Sequence, residues 1–127
     1  MNLIPALVVG TDVDGLAVEF QSGTRMVLPV DPARVCTGDK VDVGMRPENI
    51  SVGPGLNLTV RVLERLGGAS ITHGVMGDGL RLCAALPGDT AVREGETISL
   101  SINPGDCHVF DAKGSVLRRR KAPALAA

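Results

Sequence analysis

Gly38-Asp39-Lys40-Val41-Asp42-Val43-Gly44-Met45-Arg46-Pro47-Glu48-Asn49-Ile50-Ser51-Val52 lies on a second stretch 57 residues later, Gly95-Glu96-Thr97-Ile98-Ser99-Leu100-Ser101-Ile102-Asn103-Pro104-Gly105-Asp106-Cys107-His108-Val109. A glycine, an acid, three alternating apolar residues, a proline and a final valine coincide. Upstream, Met26-Val27-Leu28-Pro29 matches Ala84-Ala85-Leu86-Pro87 at an offset of 58. Self-similarity at this scale marks a repeated structural unit. The period inside the unit is two, which is that of a half-buried strand. Two related β modules, about 1–52 and 56–117, follow, each small for an independent domain.

Working outward, the rest of the chain agrees with strands. Leu56, Leu58, Val60 and Val62 alternate with Asn57, Thr59 and Arg61, which predicts the first four on one face. Leu80, Leu82, Ala84 and Leu86 alternate likewise. Between such runs stand Asp12-Val13-Asp14-Gly15, Ser22-Gly23, Gly77-Asp78-Gly79, Pro87-Gly88-Asp89, Asn103-Pro104-Gly105-Asp106 and Lys113-Gly114, all turn chemistry. Only Arg46 to Asn49 suits a helical turn. Val and Ile together number 21 against 14 Leu, and Gly plus Pro make 24 of 127 residues. These proportions favour short strands and many turns. The fold class is therefore all-β, an OB-type barrel or sandwich made of two related modules. One domain spans 1–117, and 118–127 forms a basic tail expected to fray.

Charge and composition exclude several functions. Net charge is −1, but Arg118, Arg119, Arg120 and Lys121 cluster at the end. Without them the chain holds 9 basic and 14 acidic residues. An acidic body repels phosphate, and Phe20 and Phe110 are the only rings on which a base could stack, so nucleic acid is not a partner. No apolar run is long enough for a membrane helix, and no signal-peptide layout precedes Arg25. Cys36, Cys83 and Cys107 are too widely spaced for a disulfide framework or zinc site and are expected as reduced, buried thiols.

Chemistry-bearing motifs are few. None of Lys40, Lys113 and Lys121 follows a glycine, so there is no P-loop to cradle phosphates. Asp12-x-Asp14-Gly15 lacks the remaining ligands of a calcium loop and is a hairpin turn. His73 and His108 lack metal-ligand spacing, and Cys107 and His108, adjacent on a strand, face opposite ways. Catalytic, cofactor and metal sites are absent from this reading. Pro47 fixes φ and biases Arg46 toward extended geometry, placing the charged Arg46 and Glu48 at a strand-end corner.

Met1-Asn2-Leu3-Ile4-Pro5, Gly44-Met45-Arg46-Pro47-Glu48, Glu64-Arg65-Leu66-Gly67 and Pro104 followed by Cys107-His108-Val109-Phe110-Asp111, with Gly114 and Leu117, form an ordered set over about residues 1–117. In this the chain resembles the C-terminal regulatory, transport-associated OB (TOBE) region of ATP-binding subunits of bacterial sugar ABC importers of the maltose and glycerol-phosphate type. The resemblance implies a non-catalytic regulatory and dimerisation domain. ATP and Mg would belong to an N-terminal nucleotide-binding domain outside this chain. The implied partners are a second copy of the ATPase subunit, its own nucleotide-binding domain and regulatory proteins, with membrane contact only through permease subunits. The implied location is cytoplasmic, at the inner face of the membrane. Arg46, Glu48, Glu64 and Gly67 are the candidate protein contacts, and Phe110 is either a core ring, the preferred assignment, or an interface anchor. The alternative is a tandem molybdate-type oxyanion binder, against which Pro47 removes an amide donor and Glu48 repels an anion.

Overall fold

Burial along Ala69–Met76 shows how the sequence builds this protein. Ser70, Thr72, Gly74 and Met76 are buried, while Ala69, Ile71, His73 and Val75 are half-exposed. Alternate residues of a strand face opposite sides of its sheet, so one side faces a core and the other does not. The computed structural model describes residues 1–13, 15–77 and 79–119. The chain is all-β and of OB type, and the described residues form nine strands: β1 (Asn2–Asp12), β2 (Gly15–Phe20), β3 (Arg25–Leu28), β4 (Lys40–Met45), β5 (Ile50–Arg65), β6 (Ala69–Met76), β7 (Arg81–Pro87), β8 (Thr97–Ile102) and β9 (His108–Phe110). Single 3₁₀ turns form at Pro32–Arg34, Pro47–Asn49 and Pro104–Asp106. In the first, Asp31 accepts from the Ala33 amide as an N-cap.

Two compact units result, and their boundary is not the expected one near residue 52. One unit is Met1–Asn2 with Met45–Asp106; the other is Leu3–Gly44 with the chain from Cys107 on. The reason is the pairing of β9. Val109 registers with Val43 and Phe110 with Asp42, so the end of the second module joins the sheet of the first.

The unit beginning at Leu3 holds a five-stranded sheet of order β3-β2-β1-β4-β9. Its buried side chains include Ile4, Val8, Leu16, Val18, Phe20 and Val43. Each such aliphatic contributes about 1.5–3 kcal/mol on full burial. Arg118 and Arg119, assigned to the frayed tail, are held by their main chain. The Asp31 amide donates to Arg118 O at 2.7 Å, and Val30 bridges Arg119. Residues 120–127 of that tail lie outside the described residues.

The other unit holds a four-stranded antiparallel sheet of order β7-β6-β5-β8. Leu56, Leu58, Val60, Leu82, Ala84, Leu86 and Leu100 are buried. Val62 is not; it is 51% exposed. The β5–β6 register slips between Val60, opposite Gly74, and Val62, opposite His73. Arg61 is the extra residue of this β-bulge, and a bulge reverses the side-chain alternation beyond it.

The two modules repeat one hydrogen-bond pattern. The Val8 amide donates to Asp39 O at 2.9 Å and the Gly38 amide to Val8 O at 2.8 Å. Correspondingly, Val60 donates to Glu96 O at 2.8 Å and Gly95 to Val60 O at 2.7 Å. Gly38 and Gly95, matched in the sequence, both have positive φ, at 98° and 88°.

Candidate functional site

The outer face of the β5–β6–β7 sheet carries an open groove lined by Asn2, Arg61, Val62, Glu64, His73, Val75, Arg81 and Cys83. Register explains why these residues meet. Val62 stands opposite His73, and His73 opposite Cys83, so the three form one row across the strands. One row away Val75 faces Arg81, and on the other side Glu64 faces Ile71. Gly74 lies under the groove, and a Cβ there would approach Thr59 O to 2.3 Å, so only glycine lets β5 and β6 pack this closely.

His73 donates from Nε2 to Glu64 Oε1 at 2.8 Å. Both side chains are about half-exposed, so the pair orders the groove more than it stabilises the fold. Asn2 borders the opposite side. Its amide donates to Cys83 O at 2.7 Å and accepts from the Cys83 amide at 2.9 Å. This two-way bond occupies part of the exposed edge of β7. Burial, reinforced by the Glu64 charge, pushes the Cys83 thiol up, away from the thiolate form. Arg61 and Arg81 are exposed and form no ion pair among the described residues.

The predicted contact residues do not converge on one place. Glu64 lies in the groove. Gly67 sits in the β5–β6 turn, where φ is +76° and the Leu66 amide donates to Ala69 O at 2.8 Å. A Cβ on Gly88 would come within 1.9 Å of Gly67 O, so the Gly67 carbonyl packs directly against Gly88. Arg46 and Glu48 flank and enter the Pro47–Asn49 turn, both exposed, and form no ion pair among the described residues. Arg46 is extended, at φ −81° and ψ 143°, as the following proline requires. Phe110 belongs to the other unit. It is half-buried beside fully buried Val109, so it is not the core ring preferred from the sequence; Phe20, 2% exposed, is. The thiols differ too, since Cys107 is buried, Cys83 intermediate and Cys36 exposed.

Sequence reasoning missed Arg61, His73, Arg81 and Asn2 as neighbours of Glu64. The alternation along Ala69–Met76 would have misled, since Ala69, Ile71 and Val75 share the side of His73 and yet that side is the half-exposed one. Nothing announced the bulge that brings Val62 and Arg61 to the groove.

In the unit beginning at Leu3, Asp111 organises the turn after β9. Its carboxylate accepts from the Ser115 and Lys113 amides at 2.9 and 3.0 Å and from Arg34 at 2.8 Å. These bonds, the Ser115 amide foremost, hold the carboxyl below its usual range. Among the described residues no helix is long and apolar enough to cross a membrane, and no group of three or more His, Cys, Asp or Glu could hold a metal ion.

Residues 43–110 match the family described as the TOBE domain. The sn-glycerol-3-phosphate import ATP-binding protein UgpC of Cereibacter sphaeroides is 33% identical over 117 residues, covering 89% of this chain and 30% of that protein. The maltose/maltodextrin import ATP-binding protein MalK of Photorhabdus laumondii is 28% identical over 124 residues, covering 94% and 34%. The chain thus spans about a third of the length of these curated relatives. A solved structure of the cytoplasmic molybdate-binding protein ModG superposes with a TM-score of 0.72 at 11% identity, over 85% of this chain and 94% of that one. At that identity the likeness is one of fold.

Proposed function

This chain belongs to the TOBE domain family, and on that premise we propose that it is the non-catalytic regulatory and dimerisation domain of the ATP-binding subunit of a carbohydrate importer. The observation that carries this reading is the match of 89–94% of the chain to import ATP-binding proteins. ATP hydrolysis belongs to a nucleotide-binding domain of the parent subunit, which needs phosphate-cradling glycines and a lysine that this sequence lacks. The parent subunit couples that hydrolysis to uptake, works as a homodimer at the inner face of the membrane and touches the bilayer only through permease subunits. The domain itself contributes protein contacts, for which Arg46, Glu48, Glu64, Gly67 and Phe110 remain the candidates. An isologous contact would use one surface patch twice.

Light scattering on the purified chain, together with an ATPase assay, tests the proposal. A dimer without ATP turnover is the expected result. Turnover by the chain alone would overturn it, and a strict monomer at high concentration would remove the dimerisation role. The oxyanion-binding alternative draws on likeness of fold alone and is the weaker reading.

A further inference from the structure

We propose that the groove on the outer face of β5, β6 and β7 binds an extended acidic peptide segment of a partner protein. This deepens the protein-contact reading by assigning one surface and the chemistry of what it takes. Arg61 and Arg81 supply the charge. Both are exposed, and neither has an ion pair among the described residues. Two exposed guanidinium groups without ion-pair partners on one sheet face run against the acidic balance of the chain outside its basic end. Arg61 is there because it is the extra residue of the bulge, a device that re-aims a side chain at a functional surface.

The remaining lining favours a peptide over a free anion. The same bulge turns Val62 outward, 51% exposed, so an apolar contact lies next to the cations. The groove's own carboxylate, Glu64, is engaged by His73 at 2.8 Å. At the far side β7 is an edge strand, and Asn2 bonds its Cys83 main chain in both directions, as an added strand would. β5 and β7 are separated by one strand, about 10 Å in the hydrogen-bonding direction. Carboxylates on one face of an extended peptide recur at every second residue, about 7 Å apart, so a run of acidic residues offers more than one of them to strands spaced this way.

Fluorescence anisotropy with a fluorescein-labelled hexaglutamate peptide at low ionic strength tests this on the full chain. The expected result is saturable binding that Arg61→Glu/Arg81→Glu weakens at least tenfold, with Arg93→Glu changing it less than twofold. Val62→Ser is expected to weaken binding severalfold with no change in charge. Arg61→Gln/Arg81→Gln serves as the milder variant, and thermal melts confirm that each variant is folded. Equal losses from Arg93→Glu, no binding, indifference to Val62→Ser, or displacement by tripolyphosphate as effective as by unlabelled peptide of matched charge would overturn the proposal. Tighter binding of an oligonucleotide of equal charge would overturn it as well. Oligomeric state is measured separately, so a monomer that binds the peptide loses the dimer reading and keeps the groove, and a dimer that ignores it does the reverse.

Discussion

Glu64 and His73 meet across neighbouring strands, carboxylate to imidazole at 2.8 Å, although Glu64 registers with Ile71 and His73 with Val62. The contact is diagonal and half-exposed. A double-mutant cycle with Glu64→Gln and His73→Gln should therefore give a coupling of under about 1 kcal/mol, shrinking as salt is added. A coupling of several kcal/mol by denaturant unfolding would show the pair to be structural.

Gly74 and Gly88 are fixed by close backbone approach. Added Cβ atoms would reach 2.3 Å from Thr59 O and 1.9 Å from Gly67 O. Gly74→Ala and Gly88→Ala should each destabilise by about 1–3 kcal/mol, because backbone must move. Gly68→Ala and Gly77→Ala meet nothing within 4 Å and should stay within about 0.5 kcal/mol. Urea titration of the four variants checks the contrast.

Thr72 is fully buried and its hydroxyl has no hydrogen-bond partner among the described residues. Thr72→Val removes the polar atom while keeping the shape. The variant should be as stable as the parent, or more stable by about 1 kcal/mol. A clear loss in the thermal melt would mean that the hydroxyl is bonded in solution.

Asp111 has its carboxyl pKa lowered by the Ser115 and Lys113 amides and by Arg34. A lowered folded-state pKa contributes stability that is present above the unfolded value, about 3.9, and is lost as pH falls through the folded value. Asp111→Asn should be less stable than the parent at pH 7, and the gap should close as the pH falls through the lowered pKa of the folded carboxyl. Melting curves across pH 2–7 test the sign; a gap that widens in acid would contradict it.

The three thiols should react in order of exposure, with Cys83 further slowed by its raised pKa. Cys36 is exposed, whereas burial and Glu64 raise the Cys83 pKa and Cys107 is buried. Alkylation at pH 8, followed by mass spectrometry, should modify Cys36 first, Cys83 more slowly, and Cys107 only on unfolding. Glu64→Gln should speed Cys83, since it removes the second cause of the raised pKa.

The alternation of Leu56, Leu58 and Val60 with Asn57, Thr59 and Arg61 and that of Leu80, Leu82, Ala84 and Leu86, the Gly-Asp and Gly-Glu turns and the strand-end prolines all act over a few residues. Local rules therefore predicted an all-β chain with a repeated module and a helical turn after Arg46, and the Gly38-Asp39 and Gly95-Glu96 pairs do make matching bonds. What depends on contacts distant in the chain was not written in any local pattern. Val62 follows Val60 in perfect alternation, yet the slip of β5 against β6 turns it outward with Arg61 beside it. Phe110 has the composition of a core ring, yet its neighbour Val109 takes the buried face of β9 against β4. Side-chain period fixes which residues can share a face. Only pairing register, set by packing across the whole sheet, fixes which face that is and which residues meet on it.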